Sequence, residues 1–253
     1  MTPSNYHTHT CFCDGDATVE ELVLEAIRLG CPEIGFSGHS NTPFDESYCM
    51  TKAGTEGYIA AVKAAQKQYG QQIKIYLGIE MDYYADVTDD RYDYRIGSVH
   101  YVKKDGCYLP VDDGKEIQLA NVEKHYGGDF YGFVEDYFAT VAEVYRKTKC
   151  QILGHFDLVT KFNRDGDLFD TRHPRYRAAA HKALETLMDT PVILEINMGA
   201  IARGYTEEPY PARDVVQKWL SAGKPVIYSS DCHSAKQLLY KYDLYESYIQ
   251  SCK

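Results

Sequence analysis

Seven short apolar runs recur along this chain, and six of them end in a histidine or an acidic residue. The runs cover residues 4–9, 33–39, 73–80, 94–100, 150–155, 191–197 and 224–233. Between them, apolar residues spaced for one helical face predict helices at 18–30, 55–69, 133–147, 176–188 and 213–222. A strand followed by a helix, repeated along the chain, predicts a parallel sheet with helices packed against it.

Polar residues cluster where each predicted strand ends, and in α/β barrels the functional groups lie at the C-terminal ends of the strands. We therefore expect a closed α/β barrel of about seven units, forming one domain over residues 1–253. An open doubly wound sheet is the second interpretation, although the chain lacks a glycine-rich phosphate fingerprint. Residues 103–132 interrupt the alternation, and we expect a loop with a short helix there.

Charge and composition exclude several classes of protein. A formal net charge of −10 argues against binding nucleic acid through phosphate neutralisation. No apolar run approaches the roughly 18 residues of a membrane span, and the N-terminal stretch lacks secretory features, so a cytoplasmic location is expected. The eight cysteines are expected to be reduced and to pack as small apolar residues. Metal ligation by Cys11 or Cys13 is the alternative.

The strand ends collect residues that ligate metals. His7 and His9 are two apart, so their side chains point to one face of an extended strand. The full set of candidate ligands is His7, His9, Asp14, His39, Glu80, His100, His155, Asp231 and His233. Imidazole and carboxylate suit zinc, manganese and iron. Nine ligands exceed what one tetrahedral ion needs, so more than one ion is predicted, with Glu80 as the natural bridge.

The strand-end motifs also carry a family resemblance. They are His7-x-His9, Gly38-His39, Gly78-Ile79-Glu80, Ser98-Val99-His100, Gly154-His155 and Asp231-x-His233. In this order they resemble the polymerase and histidinol phosphatase family over nearly the whole chain. The surrounding sequence looks most like the histidinol-phosphatase branch, which takes a phosphate monoester, histidinol phosphate, in histidine biosynthesis.

The resemblance implies a distorted (β/α)7 barrel of the TIM type that holds three divalent ions, zinc, manganese or iron. It implies a first ion held by His7, His9, Glu80 and Asp231. It implies a second ion held by Glu80, His100 and His155, and a third held by Asp14, His39 and His233. Some relatives have a histidine in place of Asp14, and such a departure weakens the third site.

The expected reaction is hydrolysis of the phosphate monoester by a metal-bridging hydroxide. Glu80, Asp231 and His233 are the expected catalytic residues, and either of the last two supplies the proton for the leaving alkoxide. Arg203 is the first candidate for binding the phosphate, because its planar guanidinium suits bidentate contact, and Lys161 is a weaker one. The candidates for reading the rest of the substrate are Tyr108, Asp112, Asp113, Tyr126, His125 and His173, whereas His181 is expected to be a helix residue without a role.

Three other functions compete with this one. A phosphodiesterase or exonuclease of the same family is disfavoured by the acidic charge and the lack of a basic, aromatic stripe. A protein-tyrosine phosphatase is a variant of the same chemistry. A non-catalytic metal-binding module is disfavoured because every family ligand position is filled. The expected partner is a small-molecule phosphate monoester, with no nucleic acid and no membrane.

Overall fold

Six parallel strands form one curled sheet in which the spatial order of the strands follows the chain. A computed structural model describes residues 3–86 and 89–253, so four residues of the expected 1–253 domain lie outside the described residues. The strands of the sheet are β1 (Glu33–Phe36), β2 (Lys74–Asp82), β3 (Tyr94–Ser98), β6 (Ile152–Leu153), β7 (Ile193–Asn197) and β8 (Val226–Ser229). An antiparallel hairpin, β4 (Tyr101–Lys104) and β5 (Cys107–Pro110), stands apart from the sheet.

The segment 5–9 closes the sheet into a barrel. Asn5 forms a parallel bridge with Ile34 of β1, and Thr8 forms one with Cys232 just after β8. The Asn5 side chain is buried and donates to Ser230 Oγ at 2.7 Å. The first and last parts of the sheet therefore meet through this segment, which confirms the expected distorted barrel. The segment makes two isolated bridges rather than the continuous strand that was predicted.

Helices pack around this barrel. They are α1 (Val19–Arg28), α2 (Lys52–Tyr69), α3 (Lys115–Tyr126), α4 (Phe130–Thr148), α5 (Pro174–Met188), α6 (Gly199–Ala202), α7 (Arg213–Ser221) and α8 (Tyr242–Ser251). The α1 helix begins with a capping box, in which Thr18 Oγ1 accepts from the Glu21 amide and the Glu21 carboxylate accepts from the Thr18 amide. The five predicted helices are present, with α2 and α4 beginning three residues earlier than expected. The α6 and α8 helices were not predicted.

The expectation of a loop over residues 103–132 was wrong for its first part. Residues 101–110 form the β4–β5 hairpin, and α3 is a regular helix of 12 residues. Asp105 and Gly106 occupy the turn with φ angles of 51° and 80°, the left-handed backbone that a two-residue hairpin requires. The Asp-Gly pair was therefore a hairpin signal that the sequence interpretation missed.

Two large apolar clusters hold the helices on the barrel. One packs α4, α5 and α7 on β6 and β7, with Phe133 and Trp219 fully buried. The other packs α1 and α2 on β1 and β2 around Leu22, Phe36 and Tyr58. All eight cysteines carry free thiols. Within residues 3–86 and 89–253, no helix has both the length and the apolar character needed to cross a bilayer.

Candidate metal centre

Glu80 lies at the middle of the polar end of the barrel and is 1% exposed. Its Oε2 is 3.2 Å from His7 Nε2 and 2.9 Å from His39 Nδ1. Its Oε1 is 3.4 Å from His100 Nε2 and 2.9 Å from His155 Nε2. These imidazoles come from four separate segments, each of which ends at this edge of the sheet. The two oxygens of this carboxylate therefore contact different imidazoles, as a ligand that bridges two ions must.

Asp231 follows β8 and lies across from the closing segment. Its Oδ1 is 3.6 Å from His7 Nε2 and 3.2 Å from His9 Nε2. Its Oδ2 accepts from Asn197 Nδ2 at 3.3 Å and from the Arg203 guanidinium at 3.1 Å. The backbone of Asp231 is left-handed, with φ of 48°, a conformation that costs a non-glycine residue roughly 1–2 kcal/mol. Such strain is found where surrounding contacts hold a functional side chain in place.

Asp14 brings together a third set of imidazoles. Its Oδ1 is 3.6 Å from both His9 Nδ1 and His39 Nε2, and its Oδ2 is 3.1 Å from His233 Nε2. The turn that carries it folds back tightly on the closing segment. A Cβ at Gly15 would lie 2.6 Å from the backbone of His9, so the glycine permits this approach.

The donor atoms of the site fit divalent metal ions. His7 Nε2, His9 Nε2 and Glu80 Oε2 are buried without a hydrogen bond of normal geometry. Each such orphaned group costs about 1–3 kcal/mol, a cost that a shared cation removes. Four sets of ligand atoms lie within 4.8 Å of one another: His9, Asp14, His39 and His233; His7, Glu80 and His155; His7, His9 and Asp231; and His39, Glu80 and His100. Neither Cys11 nor Cys13 belongs to a set found in the described part of the chain.

Protonation favours metal binding at His9 and Glu80. Burial, and then the charges of His233 and His39, lower the pKa of His9 to about 3, so its imidazole is neutral near pH 7. Burial alone raises the pKa of the Glu80 carboxyl, but the imidazoles of His39 and His7 outweigh it and hold the pKa well below its usual range. A neutral imidazole and an ionised carboxylate are the forms that ligate metals.

Protonation opposes metal binding at His7 and His100. Burial lowers the pKa of both His7 and His100, but nearby carboxylates, chiefly Glu195 for His7 and Glu80 for His100, outweigh it and hold each pKa well above its usual value. These two rings must therefore release a proton to ligate a metal.

Two buried acids behind the histidines were missed by sequence reasoning. Glu195 Oε1 accepts from His7 Nδ1 at 2.6 Å, and its Oε2 accepts from the His155 amide at 2.8 Å. Asp82 Oδ2 lies 3.0 Å from the His100 amide nitrogen and 3.2 Å from His100 Nδ1. Glu195 lies inside the otherwise apolar β7, and Asp82 is the last residue of β2. An acid there is rarely buried without a partner, and this signal could have identified them.

A cavity of about 430 Å³ opens over the centre. It is lined by seven of the nine candidate ligands together with Tyr48, Tyr101, Asp112, Asp113, Leu158, Lys161, Arg203 and Tyr205. The Arg203 guanidinium is 3.0 Å from His233 Nδ1. Lys161 Nζ donates to the Asp112 carbonyl at 2.9 Å and to its carboxylate at 3.1 Å. Both predicted phosphate-binding cations therefore face the cavity.

The remaining candidates have partners outside this cavity. Tyr108 stacks on Phe44, and the Tyr126 hydroxyl donates to Asp136. His125 pairs with Asp105 at 3.3 Å. The other two histidines belong to α5, where His173 caps the helix by accepting from the Arg175 amide and His181 lies within the helix.

Comparison with known proteins identifies the family of this chain. Residues 5–199 match the sequence model of the PHP domain family, and the chain belongs to this family. The resemblance predicted from the motifs is confirmed. The histidinol-phosphatase of Bacillus subtilis (strain 168) is 26% identical over 278 residues, an alignment that spans both chains completely. The probable histidinol-phosphatase of Deinococcus radiodurans is 28% identical over 248 residues, covering 93% of this chain and 88% of that protein.

Solved structures show the same fold. The putative histidinol phosphatase from Listeria monocytogenes superimposes with a TM-score of 0.78 at 22% identity, covering 96% of this chain and all of that one. Histidinol phosphate phosphatase from Lactococcus lactis subsp. lactis, complexed with zinc, L-histidinol and phosphate, superimposes with a TM-score of 0.75 at 22% identity. That match covers 98% of this chain and 93% of the other. At this identity, the likeness shows the fold.

Proposed function

We propose that this protein is a metal-dependent phosphomonoesterase that hydrolyses L-histidinol phosphate to L-histidinol and phosphate in histidine biosynthesis. The observation that carries the proposal is the convergence of nine metal-ligand side chains, seven of which line one cavity together with Arg203 and Lys161. The names of the full-length relatives, and the zinc, L-histidinol and phosphate in the Lactococcus lactis complex, support this substrate.

We propose three divalent ions per chain, zinc, manganese or iron. His7, His9, Glu80 and Asp231 hold the first ion. Glu80, His100 and His155 hold the second, and Asp14, His39 and His233 hold the third. The third assignment is supported by the set of ligand atoms that joins these residues with His9. Glu80 would serve both of the first two ions, since its two oxygens face different imidazoles.

The protein side chains supply binding and proton transfer in this proposal. Divalent ions, when bound, supply a water of lowered pKa and neutralise charge on the phosphoryl oxygens. Arg203 binds the phosphoryl oxygens through its planar guanidinium, which Asp231 holds at the rim of the cavity. Lys161 adds a second positive charge, and the cavity side chains exclude bulk water from the ester.

The leaving alkoxide needs a proton, and two residues are placed to deliver it. Asp231 and His233 both line the cavity and both contact Arg203, which binds the phosphate. Burial raises the pKa of the Asp231 carboxyl, but His7 and Arg203 outweigh it and hold this pKa well below its usual range. Asp231 can therefore deliver only a proton that it has first taken from the attacking water. The cavity is also lined by Tyr48 and Asp113, an aromatic ring and an acid that suit an imidazole and an amine.

Steady-state kinetics test the substrate. We expect kcat/KM for L-histidinol phosphate to exceed that for p-nitrophenyl phosphate or a phosphotyrosine peptide by roughly 100-fold or more, because the cavity walls contact the alcohol. Glu80→Gln protein, purified in parallel, controls for contaminating phosphatases. Equal rates with all monoesters would remove the substrate assignment, and cleavage of single-stranded DNA alone would replace it with a nuclease.

Three further properties of the protein are predictions. We propose that residues 1–253 form one PHP-type domain, that the protein acts in the cytoplasm, and that its partner is a small phosphate monoester rather than nucleic acid or a membrane. The formal charge of −10 supports the last of these, because phosphate backbones repel an acidic surface.

A further inference from the structure

We propose that Glu195 and Asp82 are positioning residues that determine which ring nitrogen His7 and His100 present to the metal ions. The proposal rests on the metal centre proposed above, but it does not depend on the identity of the substrate. It assigns a role to two buried carboxylates that neither hold phosphate nor face the cavity.

Glu195 connects three parts of the barrel. It lies in β7, is fully buried, and accepts from His7 Nδ1 at 2.6 Å with one oxygen. Its other oxygen accepts from the His155 amide at 2.8 Å and from Asn197 Nδ2 at 2.9 Å. An ionised carboxylate only accepts hydrogen bonds, so the proton of a neutral His7 ring must be on Nδ1. The Nε2 lone pair is then left to face Glu80 and Asp231.

Asp82 repeats this arrangement on the other side of Glu80. It lies two residues further along β2, and its Oδ2 is 3.2 Å from His100 Nδ1. The same oxygen accepts from the His100 amide at 3.0 Å, and Oδ1 accepts from the Tyr84 amide at 2.7 Å. Asp82 therefore holds both the backbone amide and the ring of His100, and the Nε2 atom of the ring is directed at Glu80.

Two other imidazoles near Glu80, those of His155 and His39, lack such a hydrogen bond to a buried acid. His155 presents Nε2 to Glu80, but its buried Nδ1 has no hydrogen-bond partner among the described residues. His39 faces Glu80 with Nδ1 instead. Since the hydrogen bond of one ring nitrogen determines the role of the other, the four imidazoles are not equivalent. Glu195 and Asp82 support one imidazole each, on opposite oxygens of Glu80.

Zinc affinity tests the proposal directly. Zinc is titrated into metal-free protein in competition with a chelating dye, for wild type and for Glu195→Gln and Asp82→Asn. We expect about 10–100-fold weaker binding in each variant. An amide has only one acceptor oxygen, for which the backbone donors compete, and its NH2 group turned toward Nδ1 would not hold the ring proton there. Zinc content per chain, measured after dialysis, should fall in both variants.

Asp157→Asn is the matched control. Asp157 is a buried carboxylate close to the same edge of the barrel, and it accepts from the Ala212 amide at 2.8 Å rather than from an imidazole. Its variant should bind zinc as the wild type does. Unchanged zinc affinity in Glu195→Gln and Asp82→Asn would overturn the proposal, and so would an equal loss in Asp157→Asn.

A measurement on the wild-type protein is independent of whether the variants fold. Long-range ¹H–¹⁵N spectra of the zinc-loaded protein should show protonated Nδ1 and zinc-bound Nε2 for His7 and His100. Zinc bound through Nδ1 in either ring would overturn the proposal. Both measurements use zinc alone, so a failure to hydrolyse L-histidinol phosphate would count against the proposed function and leave this inference intact.

Discussion

Glu80 contacts more ligands of the metal centre than any single histidine does, so its replacement should cost more activity. Glu80→Ala takes away contacts to five imidazoles, whereas His39→Ala takes away one ligand. We expect Glu80→Ala to lower kcat about tenfold more than His39→Ala and to reduce bound metal at two positions. Turnover and metal content of the two variants check this. Equal losses would mean that Glu80 does not bridge.

Arg203 is expected to bind phosphate in both substrate and product. Replacing it by lysine keeps the charge but removes the planar fork, so Arg203→Lys should raise KM and the inhibition constant of inorganic phosphate by about 10–100-fold. Inhibition by inorganic phosphate is the direct measurement. Arg146→Lys, on the exposed face of α4, is the control and should change neither constant. Identical phosphate inhibition in Arg203→Lys would exclude the contact.

The dependence on the leaving group separates Asp231 from His233. A variant that lacks the proton donor should be slow with L-histidinol phosphate, whose alkoxide is basic, and much closer to wild type with p-nitrophenyl phosphate, whose phenolate needs no proton. Asp231→Asn and His233→Asn are compared by the ratio of the two rates. The variant with the larger change in that ratio identifies the donor, and a constant ratio in both would exclude both residues.

The site residues that end an apolar run were predictable from the sequence, and the two supporting acids at other positions were not. His39, His100 and His155 each follow an apolar run, so the pattern of the sequence alone brought them to one edge. Glu195 lies within such a run, and Asp82 lies two residues beyond one, so neither acid is the last residue of a run. Their partners come from other segments, and only the folded barrel shows which acid contacts which imidazole.

Among the elements, the β4–β5 hairpin gives the clearest test of local backbone preference. Gly106 has φ of 80°, so Gly106→Ala forces an L-residue into the left-handed region at a cost of about 1–2 kcal/mol. Asparagine tolerates that region better, so Gly106→Asn should cost less. Free energies of unfolding from denaturant titration provide the comparison. Equal stability of the two variants would mean that the turn relaxes.

Element boundaries were predicted less well than element types. The five strongly periodic helices are present, but α8 follows the last ligand motif and its tyrosines gave no helical signal. Tyr245 and Tyr248 pack on Tyr228 of β8 and on its neighbours, so tertiary contacts rather than periodicity stabilise this helix. The Asp-Gly turn was readable from the sequence, yet the polar residues around it suggested a loop.

For the whole molecule, closure of the barrel and formation of the metal centre should be linked. Asn5 is buried and donates to Ser230 Oγ and to the Leu238 carbonyl, so it joins segments that are 225 and 233 positions apart. Asn5→Ala should lower the free energy of unfolding by about 1–3 kcal/mol, since buried partners lose their hydrogen bonds. Zinc affinity should fall with it, because His7 and His9 lie on the same segment.

Denaturant titrations of the metal-free and zinc-loaded proteins measure both effects. Asn121→Ala, at a partly exposed position of α3, is the control and should leave zinc affinity unchanged. A loss of stability in Asn5→Ala without any loss of zinc affinity would show that closure and metal binding are independent.

The barrel itself was predictable because strand and helix alternate and because ligands occur in both the first and the last strand-like runs. The isolated bridges of the closing segment were not predictable. Its backbone pairs at only two separate positions, and such pairing produces no recognisable pattern of side chains in the sequence. The register with β1 and β8 depends on contacts such as those of Asn5, which only the folded chain reveals.

The closing segment also orders events in time. During synthesis, His7 and His9 emerge from the ribosome more than 200 residues before Asp231 and His233. A growing chain therefore cannot assemble the first or the third ion site proposed above until Asp231 and His233 have emerged. Such distant pairing is slow to form, so metal uptake is expected to be a late step that coincides with the final closure of the fold.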